Sequence, residues 1–333
     1  MKPVQIAMVG CGGRATGHGA VAENSPVVKI VAWTDLQRER AEQLAQRHGG
    51  RVARDFDDVL NDEGIEGVVL SLPHNLHHEF GMKAACAGKH IAMEIPITLT
   101  LKEADELIAA AERAGVKLLV LHTLRFLWQF RYVKKLLDSG VLGKPIVVRY
   151  HAEHLVPPDY FGRQPGALAT ESGVLHDGDL LRWWIGEVQA ITACGMMMEQ
   201  HSKNVNQYDH LTVLYELEGD VFGETTRNWI TRTNEFNQRI IGSVSCTEGT
   251  ILLMGNQEVH AHSERGALPG GKNSITVTQS NAGTVTEGEI IHFADCIRGR
   301  EMIVTPQDAR RALELTLASR DSARTGRRIV FLK

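Results

Sequence analysis

The sequence predicts an α/β protein in which a doubly wound parallel sheet precedes an α+β domain with a largely antiparallel, open sheet. Apolar strand segments alternate with helical segments up to about residue 122, which is typical of a parallel sheet with right-handed crossovers. Several later segments alternate apolar and polar residues with a period of two, as half-buried strands do. The length of 333 residues suits about two domains. We therefore expect one domain over residues 1–122 and a second over 123–333.

Short apolar runs punctuated by glycine predict the elements of the first domain. We expect strands at 4–9, 27–32, 68–72, 90–93 and 117–121, and helices directly after the first strand and at 37–48, 79–87 and 101–114. Gly49, Gly88 and Gly115 follow three of the helical runs and favour their termination. Pro73 breaks the third strand.

The second domain is predicted to carry helices on one face of its sheet. We expect helices at 132–138, 287–298 and 305–323, strands at 146–153, 211–217, 223–231, 238–244 and 250–253, and a loop or irregular hairpin at 261–288. Leu211, Val213, Tyr215 and Leu217 share one face of their strand. Since the uncovered face of such a sheet has room for a partner, we expect a homodimer or homotetramer formed through it.

Composition excludes several classes of protein. The formal net charge of −4 and the absence of a basic run argue against nucleic-acid binding. No apolar stretch reaches the length of a membrane span, and the first strand begins too early to leave room for a signal peptide. The five cysteines are scattered without a Cys-x-x-Cys pair, which favours free thiols and a cytoplasmic location.

A glycine turn between the first strand and the first helix predicts a dinucleotide site. Gly10 allows the tight turn, Gly12 lets phosphates approach the backbone, and Ala15 lets the helix pack on the strand. Asp35 ends the second strand, 20 residues after Ala15, where an acid accepts hydrogen bonds from the ribose and repels a 2′-phosphate. The pattern predicts NAD in preference to NADP, with Gly13 and Arg14 completing the turn.

Several motifs together resemble the family of glucose–fructose oxidoreductase, inositol dehydrogenase and rhizopine-catabolism proteins. The resemblance spans nearly the whole chain, and besides the glycine turn it rests on segments 72–77, 87–96, 124–126, 139–143, 308–311 and 322–327. It implies a Rossmann domain followed by a substrate-binding and oligomerisation domain. It also implies that Leu72, Pro73, Asn75, His77, Glu94 and Pro96 lie on the cofactor side of the site.

One departure from the family concerns Glu94-Ile95-Pro96, where the family has Glu-Lys-Pro. The resemblance places that lysine beside the nicotinamide and the substrate hydroxyl. Because loss of one such electrostatic contact commonly costs about 10²–10³ in rate, we expect a compensating group in an active enzyme. Lys89 is one candidate, and a solvated surface lysine is the alternative for it.

His176 is the candidate general base, because a histidine near neutral pKa suits proton removal from a secondary alcohol. Glu171 and Asp179 are candidate partners for orienting it and stabilising its charged form. Without gaps Ser172 takes the place of the family's aspartate, whereas an insertion at Leu175 would place Glu171 there. The alternative for His176 is a histidine satisfied by backbone groups at a helix start.

The remaining candidates concern the substrate. Arg125, His151, Tyr160 and Arg163 are polar groups that could line a carbohydrate pocket, although each is also compatible with a surface position. His74, His77 and His78 lack a nearby set of carboxylates or thiolates, so we expect no metal site.

The leading hypothesis is an NAD-dependent oxidoreductase acting on a sugar, sugar derivative or cyclitol. A second hypothesis is an NAD-using glycosidase or lyase that oxidises its substrate transiently. A third is a catalytically silent dinucleotide-binding sensor, with which Ile95 is consistent.

Overall fold

The computed structural model describes residues 2–153, 169–197, 208–229, 239–255, 258–266, 268–279 and 288–331, with the backbone alone for 169–173, 239 and 240. These residues form two compact units. The first contains residues 2–123 and 288–313, and the second contains the other described residues. The chain thus returns to its first unit near residue 288, whereas the sequence predicts a single boundary between 122 and 123.

The first unit is built on a parallel sheet. Its strands are β1 (Val4–Val9), β2 (Val28–Thr34), β3 (Arg51–Val52), β4 (Gly67–Leu70), β5 (His90–Met93) and β6 (Leu118–Val120). Its helices up to residue 123 are α1 (Gly13–Glu23), α2 (Arg38–His48), α3 (Phe56–Leu60), α4 (His77–Cys86) and α5 (Leu101–Ala114). Over the described residues the strands follow the order β3-β2-β1-β4-β5-β6 and all pair in parallel, which confirms the predicted doubly wound sheet. The strand order reverses between β1 and β4, where ligands bind at the carboxyl ends of such sheets.

Helix α5 shows how local sequence sets the ends of an element. At its start the Glu103 N–H donates to the Thr100 hydroxyl at 3.2 Å, and the Thr100 N–H donates to the Glu103 carboxylate at 3.1 Å. At its end Gly115 adopts a left-handed conformation with φ of 66°, which glycine tolerates best. The helix spans the predicted residues 101–114.

The chain rejoins the first unit through α8 (Glu289–Ile297) and the start of α9 (Pro306–Thr325). Phe293 of α8 is fully buried. A Cβ added at Gly67, the first residue of β4, would come within 3.1 Å of the Phe293 ring. Gly67 therefore lets α8 pack closely on the sheet.

The second unit is built on a mixed sheet. Its strands are β7 (Pro145–Glu153), β8 (Val188–Met196), β9 (His210–Leu217), β10 (Val221–Asn228), β11 (Arg239–Cys246), β12 (Gly249–Met254), β13 (Glu258–Ser263), β14 (Ser274–Thr278) and β15 (Ile329–Val330). Over the described residues they follow the order β14-β13-β12-β11-β7-β10-β9-β8-β15. Only the β7–β10 pairing among these is parallel, so the predicted, largely antiparallel sheet is confirmed.

Helices α6 (Trp128–Asp138) and α7 (Ala169–Trp184) pack on one face of this sheet. As predicted, one face of β9 carries Leu211, Val213, Tyr215 and Leu217. All four are fully buried on the covered side of the sheet. The next residues along the strands face the other way. There Leu214 and Phe222 expose 37% and 45% of their surface, so this second face is partly apolar and uncovered within the unit.

One described strand differs from expectation. Strand β8 was not predicted, because a register shift between Val188 and Ala190 interrupts its period of two and its small residues have low strand propensity. In the segment after 261, for which a loop or an irregular hairpin is expected, the described residues form a hairpin, since β13 and β14 pair in antiparallel fashion.

Candidate cofactor and catalytic site

The glycine turn combines one position that must be glycine with two that leave open space. Gly10 has φ of 91°, and a Cβ there would lie 2.1 Å from the Ser71 carbonyl oxygen. Neither Gly12 nor Gly13 would bring a Cβ within 4 Å of another protein atom. The protein's own packing therefore does not require glycine at those two positions, and their backbone stays open to a ligand such as a pyrophosphate.

Asp35 lies at the carboxyl end of β2 and is tied to the glycine turn. Its Oδ2 accepts from the Cys11 N–H at 2.7 Å, and its Oδ1 accepts from the Gln37 N–H at 2.8 Å. A cleft of about 690 Å³ opens here, lined by Gly10, Gly12, Asp35, Leu36, Leu72 and Pro73 among others. Its volume falls within the range of small-molecule and cofactor sites. Leu36 is fully exposed in this cleft and offers an apolar surface to an aromatic base.

Arg14 lies directly after the turn, between two carboxylates. Its Nε donates to Glu94 Oε1 at 2.9 Å, and its Nη2 donates to Glu289 Oε2 at 2.8 Å and to Thr123 Oγ1 at 3.2 Å. His18 Nε2 lies 3.1 Å from the same Glu94 oxygen. Arg14 thus links the start of α1 to the end of β5 and to the start of α8.

The two carboxylates around Arg14 differ in pKa. Burial raises the pKa of Glu94, but the hydrogen bond from His18 and the charge of Arg14 outweigh burial and leave it below its usual value. Burial also raises the pKa of Glu289, and the charge of Arg14 opposes this rise. Because the charge of Glu94 adds to the effect of burial, the pKa of Glu289 lies above its usual value. Of the two carboxyl groups, Glu94 therefore binds a proton less tightly than Glu289 does.

The sequence pattern did not identify His18 or Glu289 as parts of this cluster. His18 lies one helical turn after Arg14, a spacing that could have drawn attention to it. Glu289 had no local signal, because it is 275 residues from Arg14 along the chain.

The segment from Leu72 to His77 lies beside the cleft. Leu72 and Pro73 line the cleft, and Asn75 is exposed in the short 3₁₀ turn His74–Leu76. His77, which is predicted to lie on the cofactor side of the site, has a fully buried side chain. Its Nδ1 lies 2.6 Å from the Pro96 carbonyl oxygen and its Nε2 lies 3.0 Å from that of Leu72.

Lys89 does not replace the missing lysine. It is buried, and its Nζ donates to the carbonyl oxygens of Asp62 at 2.7 Å and Ile65 at 2.8 Å. Lys89 precedes β5 and Ile95 follows it, so the two residues lie at opposite ends of that strand. The hypothesis that Lys89 compensates for Ile95 is therefore wrong.

In the second unit, two aspartates of α7 form buried ion pairs. Asp179 accepts from Arg125 Nε at 2.8 Å and from Nη2 at 2.6 Å. Asp177 accepts from Arg227 Nη2 at 2.6 Å, and burial raises the pKa of Asp177 to about 6 although Arg227 opposes the rise. Arg125 is 4% exposed, and its place in the lining of a carbohydrate pocket stays a prediction.

His176 precedes Asp177 on α7 and is partly buried. The role of His176 as a base, and those of Glu171 and Asp179 beside it, stay predictions. The side chains of Glu171 and Ser172 are outside the described part of the structure, as are Tyr160 and Arg163 entirely. His151 lies on the uncovered face of the sheet, with Nε2 3.3 Å from Glu224 Oε1.

The part of the chain that the structure describes holds no group of three or more His, Cys, Asp or Glu side chains arranged to bind a metal ion. Within the same residues, every helix is too short or too polar to cross a membrane.

Fold and site together define a dinucleotide-binding domain joined to a mixed α+β domain. The model for the oxidoreductase family GFO_IDH_MocA, described as having an NAD-binding Rossmann fold, matches residues 4–122. The model for the C-terminal domain of the same family matches residues 130–252. The chain belongs to this family of oxidoreductases.

Individual relatives agree with this assignment. The NAD(+)-dependent scyllo-inositol 2-dehydrogenase of Bacillus subtilis is 28% identical over 97% of this chain and 95% of its own length. The D-apiose dehydrogenase of Paraburkholderia graminis is 26% identical over 99% of this chain and 90% of its own. Among solved structures, levoglucosan dehydrogenase in complex with NADH and L-sorbose superimposes with a TM-score of 0.85 at 19% identity, covering 99% of both chains.

Proposed function

We propose that this protein is an NAD-dependent oxidoreductase that oxidises a secondary hydroxyl of a sugar, sugar derivative or cyclitol. The observation that carries the proposal is the glycine turn after β1, which leaves its backbone open to a ligand. Asp35 accepts a hydrogen bond from this turn, and both lie where the strand order of the sheet reverses. The substrate class is supported by the inositol and apiose dehydrogenases among the relatives.

The described residues suit the two ends of the cofactor. Gly12 and Gly13 lie at the start of α1. Their backbone N–H groups would hold the pyrophosphate. Asp35 would accept hydrogen bonds from the ribose hydroxyls and repel a 2′-phosphate. The nicotinamide of NAD, when bound, supplies the acceptor for the hydride that leaves the substrate carbon.

The substrate hydroxyl must lose its proton as the hydride leaves. We assign this proton to His176, since histidine is the side chain that most often serves as a general base. Glu171 or Ser172 would stand in the position of the family's aspartate, and Asp179, held by Arg125, would fix the helix face that carries His176.

Ile95 is the observation that favours the other two functions. An enzyme without the charge of the family's lysine could oxidise its substrate transiently and return the hydride, or bind NAD without turnover. A substrate deuterated at the reacting carbon separates these cases. Net oxidation transfers the deuterium to NAD and leaves it there, transient oxidation returns it to the cleaved product, and a silent protein leaves it on the starting material.

We further propose that the uncovered face of the second unit's sheet joins two copies of the chain in a homodimer or homotetramer. The exposed apolar residues Leu214, Phe222, Ile241, Leu252 and Met254 support this proposal, because patches of this kind mark interfaces. A cytoplasmic location is also proposed, and it is supported by the five cysteines, which form no disulfide in the described part of the chain.

A further inference from the structure

Arg14 is the most exposed member of a cluster of charged side chains at the carboxyl edge of the parallel sheet. Its guanidinium donates to Glu94 Oε1 at 2.9 Å, to Glu289 Oε2 at 2.8 Å and to Thr123 Oγ1 at 3.2 Å. The Arg14 side chain is 47% exposed, whereas those of Glu94 and Glu289 are 15% and 10% exposed. The two carboxyl groups are therefore more deeply buried than the guanidinium, and the part of the cluster that a ligand can reach is the cation.

The partners of Arg14 hold its guanidinium in one orientation. Among the described residues, its hydrogen bonds use Nε and Nη2 and leave Nη1 for a ligand. Burial lowers the pKa of Arg14, but the charges of Glu94 and Glu289 outweigh burial and raise it, so the side chain stays charged at neutral pH. A cation that is already fixed in place loses little conformational freedom when a ligand binds.

The strand order assigns this cluster to one half of the cofactor. In the order β3-β2-β1-β4-β5-β6, Asp35 follows β2, on one side of the glycine turn that follows β1. Glu94 follows β5 and Thr123 follows β6, both on the other side of that turn. A dinucleotide that binds across the reversal, with its ribose on Asp35 and its pyrophosphate on the turn, extends its nicotinamide half towards β5. The charge of Arg14 therefore belongs to the nicotinamide half of the site.

A cation at this place distinguishes the two redox states of the cofactor. The nicotinamide ring carries a positive charge in NAD and none in NADH. Because like charges repel, a fixed cation near the ring disfavours NAD relative to NADH. The same repulsion makes the oxidised ring a stronger acceptor of hydride.

We propose that Arg14 supplies a fixed positive charge at the nicotinamide half of the cofactor site and thereby favours NADH over NAD. This inference rests on the proposed function, since it assumes that NAD binds at the glycine turn. Ile95, which directly follows Glu94, brings no charge to this edge of the sheet. Arg14 is therefore the compensating group expected for Ile95, a role that Lys89 does not fill.

The ratio of NADH affinity to NAD affinity tests this placement without a substrate. Arg14→Gln removes the charge and can still donate to one carboxyl group, so we expect the ratio to fall by about 5- to 20-fold, the range of two like charges near a protein surface. Fluorescence titration with NADH and calorimetric titration with NAD measure the two affinities. A cation that acts on the pyrophosphate affects both affinities alike, so an unchanged ratio in Arg14→Gln would overturn the proposal.

Returning a cation from a neighbouring position separates charge from structure. Lysine at position 95 lies beside Glu94 but does not restore the contacts of Arg14 with Glu289 and Thr123. We expect Arg14→Gln/Ile95→Lys to recover most of the lost ratio, and no recovery would overturn the proposal. If Arg14→Gln does not fold, Arg14→Gln/Glu289→Gln removes the cation together with one of its partners and should lower the ratio in the same direction.

Arg298→Gln is the matched control. Arg298 also pairs with a glutamate of the first unit, since its Nη1 donates to Glu66 Oε2 at 2.7 Å, but Glu66 lies at the amino end of β4. Its replacement should leave the ratio of the two affinities unchanged, and a fall equal to that of Arg14→Gln would overturn the assignment to Arg14. Wild-type protein that binds neither NAD nor NADH would instead contradict the proposed function.

Discussion

At the scale of single residues, Asp35 is predicted to select the cofactor. Replacing it with serine removes the negative charge that would face a 2′-phosphate, so Asp35→Ser should weaken NAD binding and strengthen NADP binding, changing the ratio of affinities by about 10-fold or more, the effect of about 1.4 kcal/mol. Calorimetric titration with both cofactors measures the change.

Asp57 offers a matched control for this substitution, because it lines the same cleft and is exposed. Asp57→Ser should leave the preference for NAD intact. Wild-type protein that binds NADP as tightly as NAD would contradict the assignment of Asp35.

His176 is the residue on which the proposed proton transfer depends. His176→Ala should lower turnover by about 10²–10⁴ while leaving NAD affinity nearly unchanged, since the residue belongs to the second unit and not to the one that carries the glycine turn. Steady-state kinetics and NAD titration measure the two effects separately. Wild-type turnover in this variant would move the base role to Glu171.

At the scale of elements, α8 is predicted to stabilise the cofactor-binding unit through Glu289. Glu289→Ala removes the acceptor for Arg14 Nη2 and should lower the free energy of unfolding by about 1 kcal/mol. The expected loss is small because the Arg14 side chain is 47% exposed, so that solvent screens the ion pair. Chemical denaturation checks the change. Glu79→Ala, which removes a more exposed i,i+4 pair with Lys83, should have a smaller effect, and equal losses in the two variants would contradict a specific role of Glu289.

How well the sequence predicts an element depends on how local its determinants are. The bounds predicted for helix α5 agree with the structure to the residue. Gly115 marks the end of the helix in the sequence, and the Thr100–Glu103 hydrogen bonds that the structure shows at its start are equally local. Strand β8 was missed because its irregular register disrupts the alternation that identifies strands.

The candidate site follows the same rule. The glycine turn and Asp35 lie within one strand–helix–strand unit, so their spacing alone predicts the cofactor. The contact between Arg14 and Glu289 depends on tertiary folding, and so does the burial of Lys89 against the Asp62 and Ile65 carbonyls. No periodicity or motif near those residues carries that information.

At the scale of the whole molecule, the uncovered sheet face is predicted to hold the assembly together. Phe222→Glu places a charge on that face and should reduce the sedimentation coefficient to that of a monomer while the protein stays folded. Ile146→Glu is the control, since Ile146 is 46% exposed and Phe222 is 45% exposed. Ile146 lies near the start of β7 and, by the alternation along that strand, on the other face of the sheet from Phe222. A wild-type protein that sediments as a monomer would contradict the proposed interface.

The central claim is net hydride transfer from a carbohydrate or cyclitol hydroxyl to NAD. The most direct measurement is NADH formation by the intact wild-type protein with NAD and a panel of sugars, sugar derivatives and inositols, with the carbonyl product quantified in parallel. We predict that at least one compound yields NADH and carbonyl product in equal amounts, with NADP giving a slower reaction. Tight NAD binding without NADH formation from any member of the panel would contradict the claim.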